Sequence, residues 1–145
     1  MDDSDLFASA ARLGSGRRPL LGLTILVVED SRYACEAMRL LCLRSGARIR
    51  RADSLKSARK HLQVYRPSVV IIDLGLPDGS GAELIEALST ASPRVAVILG
   101  TSGDENAETA TMQAGADGFL PKPILSLAAF QNAILSNMPP ERQPI

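Results

Sequence analysis

Aromatic residues are scarce in this sequence, at 3% of 145 residues. A core must therefore be assembled from Leu, Ile, Val and Ala, within an apolar share of 46%. Net charge is missing as well: 16 Lys and Arg balance 16 Asp and Glu. That balance argues against a generic polyanion binder, so no nucleic-acid partner is expected for this domain. Cysteine is limited to Cys35 and Cys42, which share a face of a segment with helical patterning and read as small apolar core residues. His61 is the only histidine, which leaves a thiolate–imidazole metal site short of ligands, and nothing implies an oxidising compartment. No apolar run is long enough to span a bilayer, so no membrane partner is expected. The opening Met1, Asp2, Asp3 and Asp5 carry the wrong charge for a signal peptide. The expectation is a cytoplasmic protein with one compact domain.

The ends of the chain read as peripheral. Residues 1–22 contain the turn-rich stretch Leu13 to Pro19 and read as an extension and linker, with a short helix at Asp5 to Leu13. Residues 138–145 read as a flexible tail rich in proline. Between them, 23–137 alternates strand and helix patterns five times. Leu23 to Val28, Ala47 to Ala52, Ser68 to Ile72, Val95 to Leu99 and Asp117 to Leu120 have strand character. Arg32 to Leu43, Ser54 to Val64, Ala82 to Ser89, Asp104 to Ala114 and Leu125 to Asn137 have helical spacing. Ser31 is placed to cap the first helix and Gly46 to stop it. Val69 to Ile72 run without a polar break, which suits a parallel sheet covered on both faces. The pattern is that of a doubly wound α/β sheet with right-handed crossovers. In such sheets ligands bind outside the carboxyl ends of the strands.

That edge collects chemistry. Glu29 and Asp30 follow the first strand, Asp73 the third, Gly100, Thr101 and Ser102 the fourth, and Lys122 the fifth. Singly, each has a plain structural reading, since acids and hydroxyls at strand ends often cap the next helix. Jointly they fall on the one edge where the fold predicts a site. Carboxylates packed together repel, and a hard divalent cation with oxygen ligands, Mg²⁺ above all, neutralises them most simply. A lysine and a hydroxyl opposite complete a clamp for a transferring phosphoryl group. A carboxylate such as Asp73 can itself be the nucleophile, giving an acyl phosphate.

These residues resemble the receiver domains of two-component response regulators. The matching pieces are Val27-Val28-Glu29-Asp30, Ile71 to Gly81, Ala114 to Leu120 and Lys122-Pro123, spread over about 23–137. The resemblance implies a flavodoxin-like five-stranded parallel sheet in the order 2-1-3-4-5. It implies phosphoryl transfer onto Asp73 from a sensor histidine kinase or phosphotransfer protein, with Glu29, Asp30, Asp73 and the backbone carbonyl of Gly75 holding Mg²⁺. Lys122 would contact the phosphoryl group, and Phe119 stands at the switch aromatic position. Such a domain is a signalling receiver rather than an enzyme, and passes its state to a downstream protein target or a second copy.

One position departs from the pattern. Counted back from Lys122 without gaps, the switch hydroxyl position falls on Gly100, which has no hydroxyl. Thr101 serves if the loop shifts by one, and Ser102 is a further candidate. The alternative class is a pseudo-receiver, used only for binding or dimerisation. A flavin enzyme of the same architecture is disfavoured, because Glu29 and Asp30 stand where a phosphate-cradling loop would be.

Overall fold

The computed structural model of the protein describes residues 18–140. The helix expected at 5–13 and the end of the tail lie outside them. The chain folds as β1 (Thr24–Val28), α1 (Arg32–Ser45), β2 (Arg48–Ala52), α2 (Leu55–Val64), β3 (Val69–Asp73), α3 (Gly81–Ser89), β4 (Val97–Ser102), α4 (Ala107–Gln113), β5 (Gly118–Pro121) and α5 (Leu127–Leu135). The five strands form one parallel sheet in the order β2-β1-β3-β4-β5, as the family resemblance implied. A small antiparallel ribbon, Gly75–Leu76 against Gly79–Ser80, follows β3 where the sequence suggested only a loop.

Strand side chains alternate between two cores. Ile25, Val27, Val69, Ile71, Val97 and Leu99 pack with Met38, Cys42, Phe130 and Ile134 of α1 and α5. Leu26, Val28, Val70, Ile72 and Ile98 pack with Leu55, Ala58, Leu84 and Ile85 of α2 and α3. Aliphatic residues dominate both clusters, as the shortage of aromatics requires. Leu20 is fully buried in the first cluster and its N–H donates to Ser45 O at 2.9 Å, so packing begins before β1. Cys35 and Cys42 are free and buried, and burial pushes the Cys42 thiol up to about 12. They are core residues, as expected.

Serine hydroxyls at 31, 54, 80 and 126 cap α1, α2, α3 and α5 by accepting a backbone N–H of the first turn. Helix α1 ends at Gly46, whose φ of 89° is left-handed and whose N–H reaches Cys42 and Leu43 carbonyls. Helix α4 differs: Asn106 precedes it without a side-chain cap bond. It begins at Ala107 rather than Asp104, because Ser102 Oγ accepts the Asp104 N–H and Asp104 Oδ1 accepts the Asn106 N–H. These local bonds hold the backbone in turns.

Candidate functional site

Parallel strands bring their carboxyl ends to one edge. There β1 delivers Glu29 and Asp30, β3 ends on Asp73, and β5 leads into Lys122. The structure brings these four residues together as the sequence suggested. Carboxylate oxygens of Glu29, Asp30 and Asp73 all lie within 4.8 Å of one another. Lys122 Nζ donates to Glu29 Oε1 at 3.0 Å and stands 3.4 Å from Asp73 Oδ2.

Glu29 is fully buried, while Asp73 is 7% exposed and Asp30 is exposed. Burial pushes the Glu29 carboxyl up and the neighbouring Asp73 adds to the rise. Hydrogen bonds from Lys122 and the Ser31 N–H oppose it without cancelling it. Burial disfavours the Lys122 ammonium, but bonding to Glu29 and attraction by Asp73 outweigh it and hold its pKa above the usual 10.5. Lys122 therefore stays charged at neutral pH. Three converging carboxylates against one ammonium leave an excess of negative charge. Oxygen donors at this spacing suit a hard divalent cation, so the residues present fit Mg²⁺.

Strand pairing decides the register left open by sequence. Asp73 is the Cα partner of Thr101, and Ile72 is the partner of Gly100. Partners at the same level of a sheet project to the same face, so Thr101 shares a face with Asp73 and Gly100 does not. The gapless count falls on Gly100, one level short of Asp73. Both lie within β4, which runs to Ser102, rather than after it. Thr101 is fully buried and its Oγ1 donates to Leu120 O at 2.6 Å. Ser102 is engaged with the Asp104 N–H. Phe119 sits half-buried on β5 as the partner of Gly100.

Gly100 has its own reason to be glycine. A Cβ there would overlap Thr111 Cγ2 of α4, and would lie 3.0 Å from Thr111 Oγ1 and 3.2 Å from Leu74 Cδ2. Gly100→Thr, which writes a hydroxyl into the gapless switch position, is thus expected to destabilise the fold by about 1–3 kcal/mol through overpacking. Denaturant unfolding checks this; a variant as stable as the parent would contradict the packing.

Asp78 was missed by sequence reasoning. Its carboxylate accepts the N–H groups of Leu55 at 2.8 Å and Lys56 at 3.0 Å, and these bonds hold its pKa below the usual carboxylate range. The loop after Asp73 is thereby pinned to the start of α2. A loop acid capping a helix more than twenty residues away leaves no local signature. Gly75 N donates to Asp73 Oδ1 at 3.3 Å, and a Cβ on Gly75 would meet nothing within 4 Å. The side of the site beside Asp73 is therefore open.

Comparison with known proteins identifies the family. The family model described as the response regulator receiver domain matches residues 25–134. The KDP operon transcriptional regulatory protein KdpE of Escherichia coli is 33% identical over 100 residues, covering 69% of this chain and 44% of that protein. The response regulator MprA of a Mycobacterium species is 30% identical over 123 residues, covering 83% and 54%. The chain thus spans about half the length of these curated relatives. Among solved structures, a response regulator described from Chloroflexus aurantiacus aligns with a TM-score of 0.71 and 28% identity over 79% of this chain and 98% of that one. One from Burkholderia pseudomallei, solved with a phosphorylated aspartic acid and a calcium ion, aligns at 0.70 and 25% over 79% and 68%. With the family model covering most of its length, this chain belongs to the response regulator receiver domain family.

Proposed function

We propose that the domain accepts a phosphoryl group on Asp73 from the phosphohistidine of a partner sensor kinase or phosphotransfer protein. The bond from histidine nitrogen to phosphorus breaks as a bond from an Asp73 carboxylate oxygen to phosphorus forms. The observation that carries this reading is a nearly buried carboxylate held against Lys122 and gathered with Glu29 and Asp30. When bound by Glu29, Asp30, Asp73 and the Gly75 carbonyl, Mg²⁺ supplies positive charge to the phosphoryl oxygens.

The chain's own residues do the rest. Lys122 stays protonated and lies within reach of an oxygen on Asp73, where it pairs with the incoming charge. Thr101, at the level of Asp73, gives up its bond to Leu120 O and donates to a phosphoryl oxygen. That loosens β4 from β5 beside Phe119, which is the means of passing the state to a downstream protein or a second copy. The Burkholderia relative carries its phosphoryl group on an aspartate, which supports the same role for Asp73.

The test is incubation of the full chain with Mg²⁺ and acetyl phosphate, read by intact mass. Addition of a single phosphoryl group is expected. Absence of an adduct with acetyl phosphate and with a phosphorylated histidine donor would overturn the reading in favour of a binding module alone. The lifetime of the adduct gives a further prediction. Gly75 is exposed and leaves the approach of water open, so Gly75→Met is expected to slow dephosphorylation severalfold. An unchanged decay rate would count against that shielding.

A further inference from the structure

The acidic loop is held by a residue from outside it. Strand β1 is paired with β2 as far as Val28 opposite Ala52, and the Glu29 N–H donates to Ala52 O at 2.9 Å. There β2 ends, and the chain turns through Asp53 to the capping Ser54 of α2. The carbonyls of Glu29 and Asp30 thus face no continuing strand. Arg51 of β2 reaches forward to both: Nε donates to Glu29 O at 3.1 Å and Nη2 to Asp30 O at 3.0 Å. A planar guanidinium spans two successive carbonyls in a way an ammonium cannot.

We propose that Arg51 is a positioning residue for the divalent site, setting the orientation of the Glu29-Asp30 peptides and so of the carboxylates they carry. This rests on the phosphoacceptor reading. The Glu29 side chain has independent anchors, Lys122 on Oε1 and the Ser31 N–H on Oε2. Asp30 is exposed, and the Arg51 bond to its carbonyl fixes the peptide that follows. The same guanidinium brings a permanent positive charge to the backbone of an acidic cluster without competing for its carboxylate oxygens. Residues that orient ligands in this way govern metal affinity strongly even though they touch no metal.

Arg51→Lys separates the fork from the charge, since it keeps the charge and most of the stem. Mg²⁺ affinity by titration calorimetry on the full chain is expected to fall about tenfold in Arg51→Lys and at least as far in Arg51→Gln. In the metal-free protein, amide exchange at Ser31, whose N–H is held by Glu29 Oε2, should quicken in both variants while exchange in β3 stays slow. Wild-type Mg²⁺ affinity in Arg51→Lys would overturn the proposal, and so would unchanged exchange at this amide. If the parent chain itself fails to bind Mg²⁺, the metal-dependent phosphoacceptor reading falls, while the exchange measurement still decides whether Arg51 clamps the loop.

Discussion

Asp73→Asn is expected to abolish phosphoryl incorporation while leaving the fold intact. The amide has nearly the shape of the carboxylate, so the packing of a residue only 7% exposed is kept. What disappears is the nucleophilic oxygen pair and one negative charge. In the metal-free protein that charge is a burden on its neighbour, since Asp73 helps push the Glu29 carboxyl up. Removing it relieves repulsion at the same time as it costs Lys122 one of two partners. Stability without metal should therefore change little. The response to Mg²⁺ should change greatly. A ligand at about a hundred times its dissociation constant stabilises the state that binds it by about 2.7 kcal/mol, and the variant has lost one of the three carboxylates that would hold the ion. Intact mass after acetyl phosphate treatment and thermal unfolding with and without Mg²⁺ measure the two effects. A persistent adduct in Asp73→Asn would move the acceptor to another residue. A collapsed fold would make the loss of adduct uninformative, and the metal-free melting curve distinguishes that case.

The sheet was legible because its inner strands, β1, β3 and β4, contain short apolar runs between helices of clear period. Val69 to Ile72 have no polar interruption, and they are fully buried in the centre of the sheet. The edge carrying Glu29, Asp30, Asp73 and Lys122 then followed from the fold rule. The end of β4 was not legible. Gly100, Thr101 and Ser102 are small or polar, so they read as a loop, yet all three pair with β5. Counting residues between motifs could not locate the hydroxyl at the level of Asp73, because loop length is independent of strand register. Only the pairing itself distinguishes Thr101 from Gly100. The contacts of Asp78 and Arg51 were not legible for a related reason. Each satisfies backbone groups belonging to a distant part of the chain, and such bonds become visible only when topology has brought the partners together.

Lys122→Met is expected to destabilise the metal-free protein at neutral pH by about 3 kcal/mol, the low end for breaking a buried ion pair, because its side chain is 23% exposed. The methionine keeps the stem but leaves the Glu29 carboxylate, 1% exposed, without its ammonium. The pH dependence fixes the cause. Burial already holds the Glu29 pKa above its unfolded value, so the folded state binds the proton more tightly and stability falls as pH rises through that raised pKa. The Lys122 hydrogen bond opposes this rise. Without it the Glu29 pKa climbs further, and the stability lost on ionisation grows. The deficit of Lys122→Met against the parent should thus be greatest at neutral pH and shrink on acidification, as Glu29 is protonated in the variant first. Mg²⁺ should also narrow it by supplying positive charge to the same carboxylates. Denaturant unfolding at neutral and mildly acidic pH, with and without Mg²⁺, reads all of this. A deficit independent of pH would mean that the loss of the ammonium beside Glu29 is not its cause, and one that widens on acidification would contradict the placement of Lys122 against Glu29.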